Sequence, residues 1–187
     1  MAEYNFNQRK NDVLNKLDKS YAGKWDEKIS DLCKKINSKK NYYTTSSCSG
    51  RALVMIDQLK KGAGLFIWTA HKNFSFGELK NSVEKFEGGE LLKFKCEPPI
   101  IHIVCKTLKD AEKILEMGFL SGWKNSGIKS VKNNIVVELH GTEKLEFPIF
   151  SDGKFLVEDK FLDLIVEKSN KKLEKGWKMI ETLTKSI

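Results

Sequence analysis

The run Ile100-Ile101-His102-Ile103-Val104-Cys105 constrains the fold more than any other segment of the chain. Apolar residues occupy both its odd and its even positions, so both faces of a strand built from it need to be covered. Such a strand is typical of the centre of a sheet. His102 interrupts the run, and its simplest interpretation is a buried histidine that one hydrogen bond satisfies.

Further strand-like segments alternate with helical ones along the chain. Apolar and β-branched patterns predict strands at 42–47, 52–59, 65–71, 91–95, 131–139, 144–149 and 154–157. Helices are predicted at 3–20, 27–36, 76–86, 108–118 and 158–186, with Asp26, Ser75 and Thr107 as N-caps of the middle three. A hairpin loop at 60–64 is expected to join the second and third strands.

These elements predict an α+β (mixed α/β) fold in which helices flank a mixed sheet of many short strands. No Gly-rich turn follows the first strand, which argues against a Rossmann-type arrangement. No Pro- or Gly-rich linker divides the 187 residues, so the chain is predicted to form a single compact domain, 1–187.

Composition limits the partners and the compartment. Lys and Arg number 33 against 25 Asp and Glu, a formal charge of +8 that favours polyanionic partners but also fits a solvated surface. The apolar runs are far shorter than a membrane span and Met1 opens onto polar residues, so a cytoplasmic location is predicted.

The four cysteines are predicted to be reduced thiols without a metal. They show neither a C-x-x-C pair nor the paired spacing of zinc ligands. His102 and Cys105 do not make a metal pair by themselves, because side chains three residues apart on a strand point to opposite faces.

The stretch from residue 41 to residue 51 has an unusual composition. It holds two tyrosines, five hydroxyl residues, one cysteine, one glycine and one arginine, and it offers little to bury after Tyr43. The residues up to Ser47 suit a strand, and Ser49-Gly50 predicts a turn. Small polar residues let a ligand approach the backbone, and Arg51 adds a planar fork of donors. The stretch is therefore either a binding site or a Ser/Gly-rich connector.

The run Tyr43-Thr44-Thr45-Ser46-Ser47-Cys48-Ser49-Gly50-Arg51 resembles the signature of the tRNA wybutosine-synthesizing protein 3 family. Similar segments follow in the same order: Trp68 to Lys72, Glu97-Pro98 with the run after it, and Gly122 to Ile128. The resemblance covers nearly the whole chain. It implies a compact fold unlike that of a Rossmann-type methyltransferase.

The resemblance also implies a reaction. Members of this family use S-adenosylmethionine to methylate N4 of the 7-aminocarboxypropyl-demethylwyosine base next to the anticodon of phenylalanine tRNA. Such a methyl transfer is a displacement at a sulfonium methyl, so the protein has to align the nitrogen with the methyl group, desolvate both and remove one proton. The expected partner is therefore tRNA-Phe that carries a wyosine precursor.

Site residues follow from the same resemblance. The residues expected to hold the cofactor or the substrate are Ser46, Ser47, Cys48, Arg51, Trp68, Glu97, Asn125 and Ser126. His71 is the first candidate for the proton acceptor and His102 the second. Candidates for stacking on the base are Tyr43, Trp68 and Trp123, of which Trp123 fits the edge of the core equally well. A recurring Asp-x-Ser element near the active site corresponds to Asp18-Lys19-Ser20.

Strand alternation adds one geometric expectation. In the strand at 65–71, Phe66 and Trp68 should share one face, and His71, at the end, should lie on the other.

Two other function classes remain open from the residues alone. A noncatalytic RNA-binding module explains the charge but not the dense polar stretch at 41–51. An enzyme with Cys48 as its nucleophile and His71 or His102 as the base would carry out acyl or thiol transfer.

Overall fold

The computed structural model describes residues 2–15, 25–58, 62 and 64–187, with side chains from residue 5 onward. Within these ranges the helices are α1 (Ala2–Leu14), α2 (Glu27–Ser38), α3 (Phe76–Glu84), α4 (Leu108–Leu120) and α5 (Asp159–Ser186). The strands are β1 (Tyr42–Cys48), β2 (Arg51–Ile56), β3 (Phe66–Ala70), β4 (Leu92–Glu97), β5 (Ile100–Cys105), β6 (Gly127–Ser130), β7 (Ile135–His140), β8 (Leu145–Ser151) and β9 (Lys154–Phe155). Asp18-Lys19-Ser20 lies outside the described residues.

The strands form two sheets, in the orders β1-β5-β7-β6 and β3-β2-β4-β8-β9. The α+β class is confirmed, but the expected mixed sheet is wrong, because every strand pair in the described chain is antiparallel. An apolar pattern identifies a strand without giving the direction of its partner. The connections from β2 to β3 and from β8 to β9 are too short for the crossover that parallel neighbours need, so these strands pair antiparallel.

Two compact units make up the chain: Met1–Ser49, Pro99–Thr142 and Trp177–Ile187 form the first, and Gly50–Pro98 and Glu143–Gly176 form the second. The chain passes between the units four times. For that reason we keep as a proposal that residues 1–187 fold as one domain.

In the first unit β5 is an inner strand that pairs with β1 on one side and β7 on the other, as predicted from its apolar run. Ile101, Ile103 and Cys105 enter the core formed with α2 and α4. His102 alternates with them and is half-buried on the opposite face of the sheet. The separation of His102 from Cys105 is therefore confirmed.

In the second unit the sheet has one aromatic face and one charged face. Phe94 stacks on Phe147 at a centroid distance of 5.7 Å, and Phe147 contacts Phe161 of α5 at 5.7 Å. At the alternate positions of β4, Lys93 and Lys95 both form ion pairs with Glu146 of β8. Lys93 also pairs with Asp57 and Lys95 with Glu97.

The predicted capping boxes at Ser75 and Thr107 are confirmed as the starts of α3 and α4. Asp26 occupies the N-cap position of α2, but its carboxylate makes no capping hydrogen bond. It accepts instead from the backbone and hydroxyl of Ser49. Local sequence cannot reveal a competing partner 23 residues away.

All four cysteines lie in the described chain and none of them forms a disulfide, as predicted. Among the described residues, no helix combines the length and the apolarity that crossing a bilayer requires.

Candidate active site

A row of polar side chains crosses the sheet of the first unit on the face away from its core. Ser46 of β1 pairs in register with His102 of β5, and His102 pairs with Glu138 of β7. Lys129 comes from β6, the next strand. We call Ser46, His102, Glu138 and Lys129 the polar row.

Hydrogen bonds and ion pairs join the polar row from end to end. The Ser46 hydroxyl lies 2.9 Å from His102 Nδ1. His102 Nε2 lies 2.9 Å from Glu138 Oε2, and the other carboxylate oxygen accepts from Lys129 Nζ at 2.7 Å. Both ring nitrogens of His102 therefore have protein partners, and Ser46 at the end of the row is exposed.

The electrostatics of the polar row favour an ionised Glu138. Burial opposes ionisation, but the hydrogen bond and charge of Lys129, with smaller contributions from His102 and His140, outweigh it and hold the pKa of Glu138 below its usual value of 4.5. The Glu138 side chain is 14% exposed, so its charge acts on His102 with little solvent screening.

The remaining residues of β1 divide between the two faces of the sheet. Cys48 pairs with Ile100 and, two residues after Ser46, lies on the same face as Ser46. Ser47 lies on the core face, where its hydroxyl accepts from Cys33 Sγ at 3.5 Å. Burial raises the pKa of the Cys33 thiol to about 11, so the thiol keeps the proton that it donates. Ser47 is thus separated from Ser46 and Cys48.

The turn predicted after β1 is present at Ser49-Gly50. Ser49 is fully buried and tied to Asp26 through both its N–H and its hydroxyl, at 2.8 and 3.2 Å. Gly50 has a φ of 91°, which an L side chain rarely adopts. The polar residues of this turn therefore serve in part to hold the chain where it leaves the first unit.

Two predicted binding residues of the second unit pair with each other. Arg51 Nε donates to Glu97 Oε2 at 2.8 Å across the β2–β4 ladder, and Lys95 Nζ lies 3.1 Å from the other carboxylate oxygen. Burial acts to raise the pKa of Glu97, but Arg51 and Lys95 together hold it below its usual value. The guanidinium also lies over the Phe66 ring, 5.3 Å from its centroid.

Trp68 lines an open groove of about 760 Å³ between β3 and α3. Its ring meets Phe74 edge-on at 4.9 Å. The expectation that Phe66 and Trp68 share a face is wrong: a bulge pairs Phe66 with Met55 and Trp68 with the preceding Val54, so the two rings lie on opposite faces. No local residue pattern marks this bulge.

His71 follows the last residue of β3 directly and is half-buried. The prediction that His71 lies where its strand ends and a loop begins is confirmed. Its role as a proton acceptor stays a prediction.

Asn125 and Ser126 hold their loop against the end of β7. The side-chain amide nitrogen of Asn125 lies 3.0 Å from His140 Nδ1. The backbone N–H of Asn125 donates to the His140 carbonyl. The Ser126 hydroxyl donates to the Trp123 carbonyl at 2.7 Å and accepts from the His140 N–H at 3.0 Å. These contacts give Ser126 a structural role, while Asn125 is exposed beside an imidazole.

Two of the three stacking candidates lie in the core. Trp123 has no exposed surface and its indole N–H donates to the Met179 carbonyl at 3.4 Å. Tyr43 is 2% exposed and packs on Phe6 at 5.3 Å. The stacking role is therefore wrong for both residues, because tertiary packing covers their rings. Trp68 remains.

The sequence interpretation did not include Glu138, Lys129 and His140. Strict alternation in β7, with Val137 and Leu139 buried, places Glu138 and His140 together on the other face. That alternation could have identified Glu138 and His140 as neighbours on one face of the sheet. No sequence pattern marked Lys129, because β6 resembles part of a polar loop.

Comparison with known proteins agrees with this architecture. A model of the methyltransferase TYW3 family matches residues 8–187. A relative in Thermococcus sibiricus is 36% identical over 191 residues, which cover 100% of this chain and 96% of the relative. It is named tRNA(Phe) 7-((3-amino-3-carboxypropyl)-4-demethylwyosine(37)-N(4))-methyltransferase. A relative in Danio rerio, the tRNA wybutosine-synthesizing protein 3 homolog, is 34% identical over 97% of this chain and 74% of its own length.

Among solved structures, the PH1069 protein from Pyrococcus horikoshii superimposes with a TM-score of 0.88. It is 34% identical, and the match covers 98% of this chain and 94% of that one. The resemblance inferred from the signature around Ser46 is thereby confirmed along the whole chain. The chain belongs to the methyltransferase TYW3 family.

Proposed function

We propose that this protein transfers a methyl group from S-adenosylmethionine to N4 of the 7-(3-amino-3-carboxypropyl)-4-demethylwyosine base in tRNA-Phe. The observation that carries the proposal is the 36% identity with the Thermococcus sibiricus enzyme of that name over the whole chain. The formal charge of +8 suits a tRNA partner. Since the substrate is a tRNA, we place the reaction in the cytoplasm.

Methyl transfer needs groups that hold both reactants and a group that takes a proton. In the first unit, Ser46 offers an exposed hydroxyl bonded to an imidazole. Cys48 and Asn125 are further polar side chains of the same unit, and we keep them as contacts to the substrate base. Ser47 and Ser126, with hydroxyls bonded inside the protein, support the shape of this surface.

In the second unit, Arg51 and Glu97 present a cation and an anion 2.8 Å apart. This pair matches the carboxylate and ammonium of an amino acid, which is the group at the methionine end of S-adenosylmethionine. We assign the pair to that end of the cofactor. Trp68, in the groove between β3 and α3, is suited to stack on a planar ring.

Transfer of one labelled methyl group tests the function directly. Purified protein is incubated with methyl-labelled S-adenosylmethionine and tRNA-Phe from a strain that lacks this protein, and the nucleosides are separated after digestion. The label is expected in the wyosine derivative. The same tRNA already methylated at N4 serves as the control and should take up none. Absence of label from the unmethylated tRNA would refute the proposal.

The noncatalytic RNA-binding module predicts a different result. Such a protein binds tRNA-Phe but not S-adenosylmethionine, which calorimetry on the free protein distinguishes. Family membership favours the enzyme.

A further inference from the structure

The polar row has the connectivity of a proton relay. Ser46, His102, Glu138 and Lys129 lie on four neighbouring strands and are joined by contacts of 2.9, 2.9 and 2.7 Å. Because each side chain comes from a different strand of one sheet, backbone pairing fixes the spacing of the row. The row ends in an exposed hydroxyl at one edge strand and in a lysine at the other.

The protonation states along the row follow from its charges. An ionised Glu138 only accepts hydrogen bonds, so His102 Nε2 has to carry the proton of that contact. In a neutral imidazole, Nδ1 is then unprotonated and accepts from the Ser46 hydroxyl. The Ser46 oxygen keeps lone pairs that can take a proton from outside.

We propose that Ser46 and His102 together accept the N4 proton during methyl transfer and that Glu138 is the positioning residue that sets the tautomer of His102. Lys129 holds Glu138 in place by binding its second oxygen. This inference rests on the proposed function and assigns the base to His102 instead of His71. It adds Glu138 and Lys129 to the residues that determine the rate.

Atoms and electrons balance along this path. The N4 lone pair forms the bond to the methyl carbon, and the pair of the breaking C–S bond stays on sulfur, which becomes a neutral thioether. The N4 proton goes to Ser46 Oγ as the hydroxyl proton passes to His102 Nδ1. The resulting imidazolium faces Glu138, and it later releases its proton to solvent.

Other charged groups also face His102 and Glu138. His140 lies two residues after Glu138 on β7 and contributes to its electrostatics, and Lys129 approaches from β6. From β1, the neighbour is the neutral Ser46. The effect of a Glu138 variant is therefore compared with that of a His140→Gln variant, in which the relay is intact.

The first test compares Glu138→Gln with Glu146→Gln. Glu146 on β8 is the matched control, since it is also ion-paired on a strand, to Lys93 and Lys95. For Glu138→Gln we expect kcat to fall by about 10² to 10⁴, with the Kd for S-adenosylmethionine and the KM for tRNA within about twofold of the wild type. Glu146→Gln should leave kcat unchanged.

A Ser46→Ala variant extends this test. Groups that act as one unit lose activity non-additively, so Ser46→Ala with Glu138→Gln should be little slower than the slower single variant. Full additivity of the two losses would overturn the relay. So would a wild-type kcat in Glu138→Gln, or a His71→Gln variant that is inactive while His102→Gln keeps the wild-type rate.

The second test is independent of enzyme activity. Long-range ¹H–¹⁵N NMR of the free protein reports which ring nitrogen of His102 carries the proton. We expect a proton on Nε2 and an unprotonated Nδ1 in the wild type, and a mixture of tautomers in Glu138→Gln. A proton on Nδ1 of neutral His102 in the wild type would overturn the relay even if tRNA is methylated. Methylation failure with the expected tautomer would count against the proposed function alone.

Discussion

Replacement of Arg51 by Lys tests whether the Arg51–Glu97 pair holds the amino-acid end of the cofactor. Lysine keeps the positive charge but loses the planar fork that can bind Glu97 and a carboxylate together. In the folded protein Arg51 Nε lies 2.8 Å from Glu97, and both side chains are about one third exposed, at 31% and 32%. The Arg51→Lys change therefore tests the hydrogen bonds of the guanidinium while the net charge of the protein stays the same.

The expected magnitudes differ for stability and for binding. An ion pair this exposed contributes about 0–1 kcal/mol, so unfolding should change little. A lost hydrogen bond to a charged ligand group costs about 1.5–3 kcal/mol. That corresponds to an increase of about ten- to hundredfold in the Kd for S-adenosylmethionine.

The assay is isothermal titration of the free protein with S-adenosylmethionine, with thermal unfolding measured on the same samples. Arg9→Lys is the matched control, because Arg9 is the other arginine of the chain and bonds only to Asn133 and Asn134 in the described contacts. Its Kd should equal that of the wild type.

Two results would refute the reasoning about Arg51. One is a Kd within about threefold of the wild type in Arg51→Lys. The other is an increase in Kd that is fully explained by a smaller fraction of folded protein in the Arg51→Lys sample. The tRNA base carries the same amino-acid group, so KM is also measured with tRNA that lacks the aminocarboxypropyl chain. A defect seen only with the complete tRNA would move the pair from the cofactor to the substrate.

Three further predictions concern the core, the charged surface and the thiol. Trp123→Ala should lower the free energy of unfolding by about 3–5 kcal/mol in urea titrations, since the ring is fully buried; an effect below about 1 kcal/mol would contradict its core role. Lys172 and Lys175 lower the pKa of Glu143 to about 2 from 4.5, so its stabilising contribution is present above pH 4.5 and lost as pH falls toward 2. Glu143→Gln should therefore reduce the stability difference between pH 7 and pH 3, and an unchanged difference would contradict this. Cys48→Ser should keep measurable methyl transfer, whereas complete inactivity of a folded variant would indicate a thiol nucleophile.

The main elements could be predicted because their signals are local. The capping boxes at Ser75 and Thr107 and the apolar run of β5 each depend on residues a few positions apart. The turn at Ser49-Gly50 likewise carries its own signal, since glycine tolerates the positive φ found there. Strand β6 was missed because its four residues, Gly127–Ser130, lack a regular apolar pattern.

The candidate site was predictable only in part. Its residue types around Ser46 and Arg51 stand out in the sequence, but their partners come from distant strands. His102 lies 56 residues from Ser46, and Glu97 lies 46 residues from Arg51. For Trp123 the residues left base stacking and core packing equally open, and only the fold decides for the core.

The residues alone indicate the family, the helices and strands that have local signals, the central place of β5 and the unusual polar stretch from 41 to 51. The tertiary structure decided which of those polar groups work together. It joined Ser46 to His102 and Glu138 across three strands. Periodicity within a strand depends on neighbouring residues, whereas register between strands depends on packing of the whole sheet.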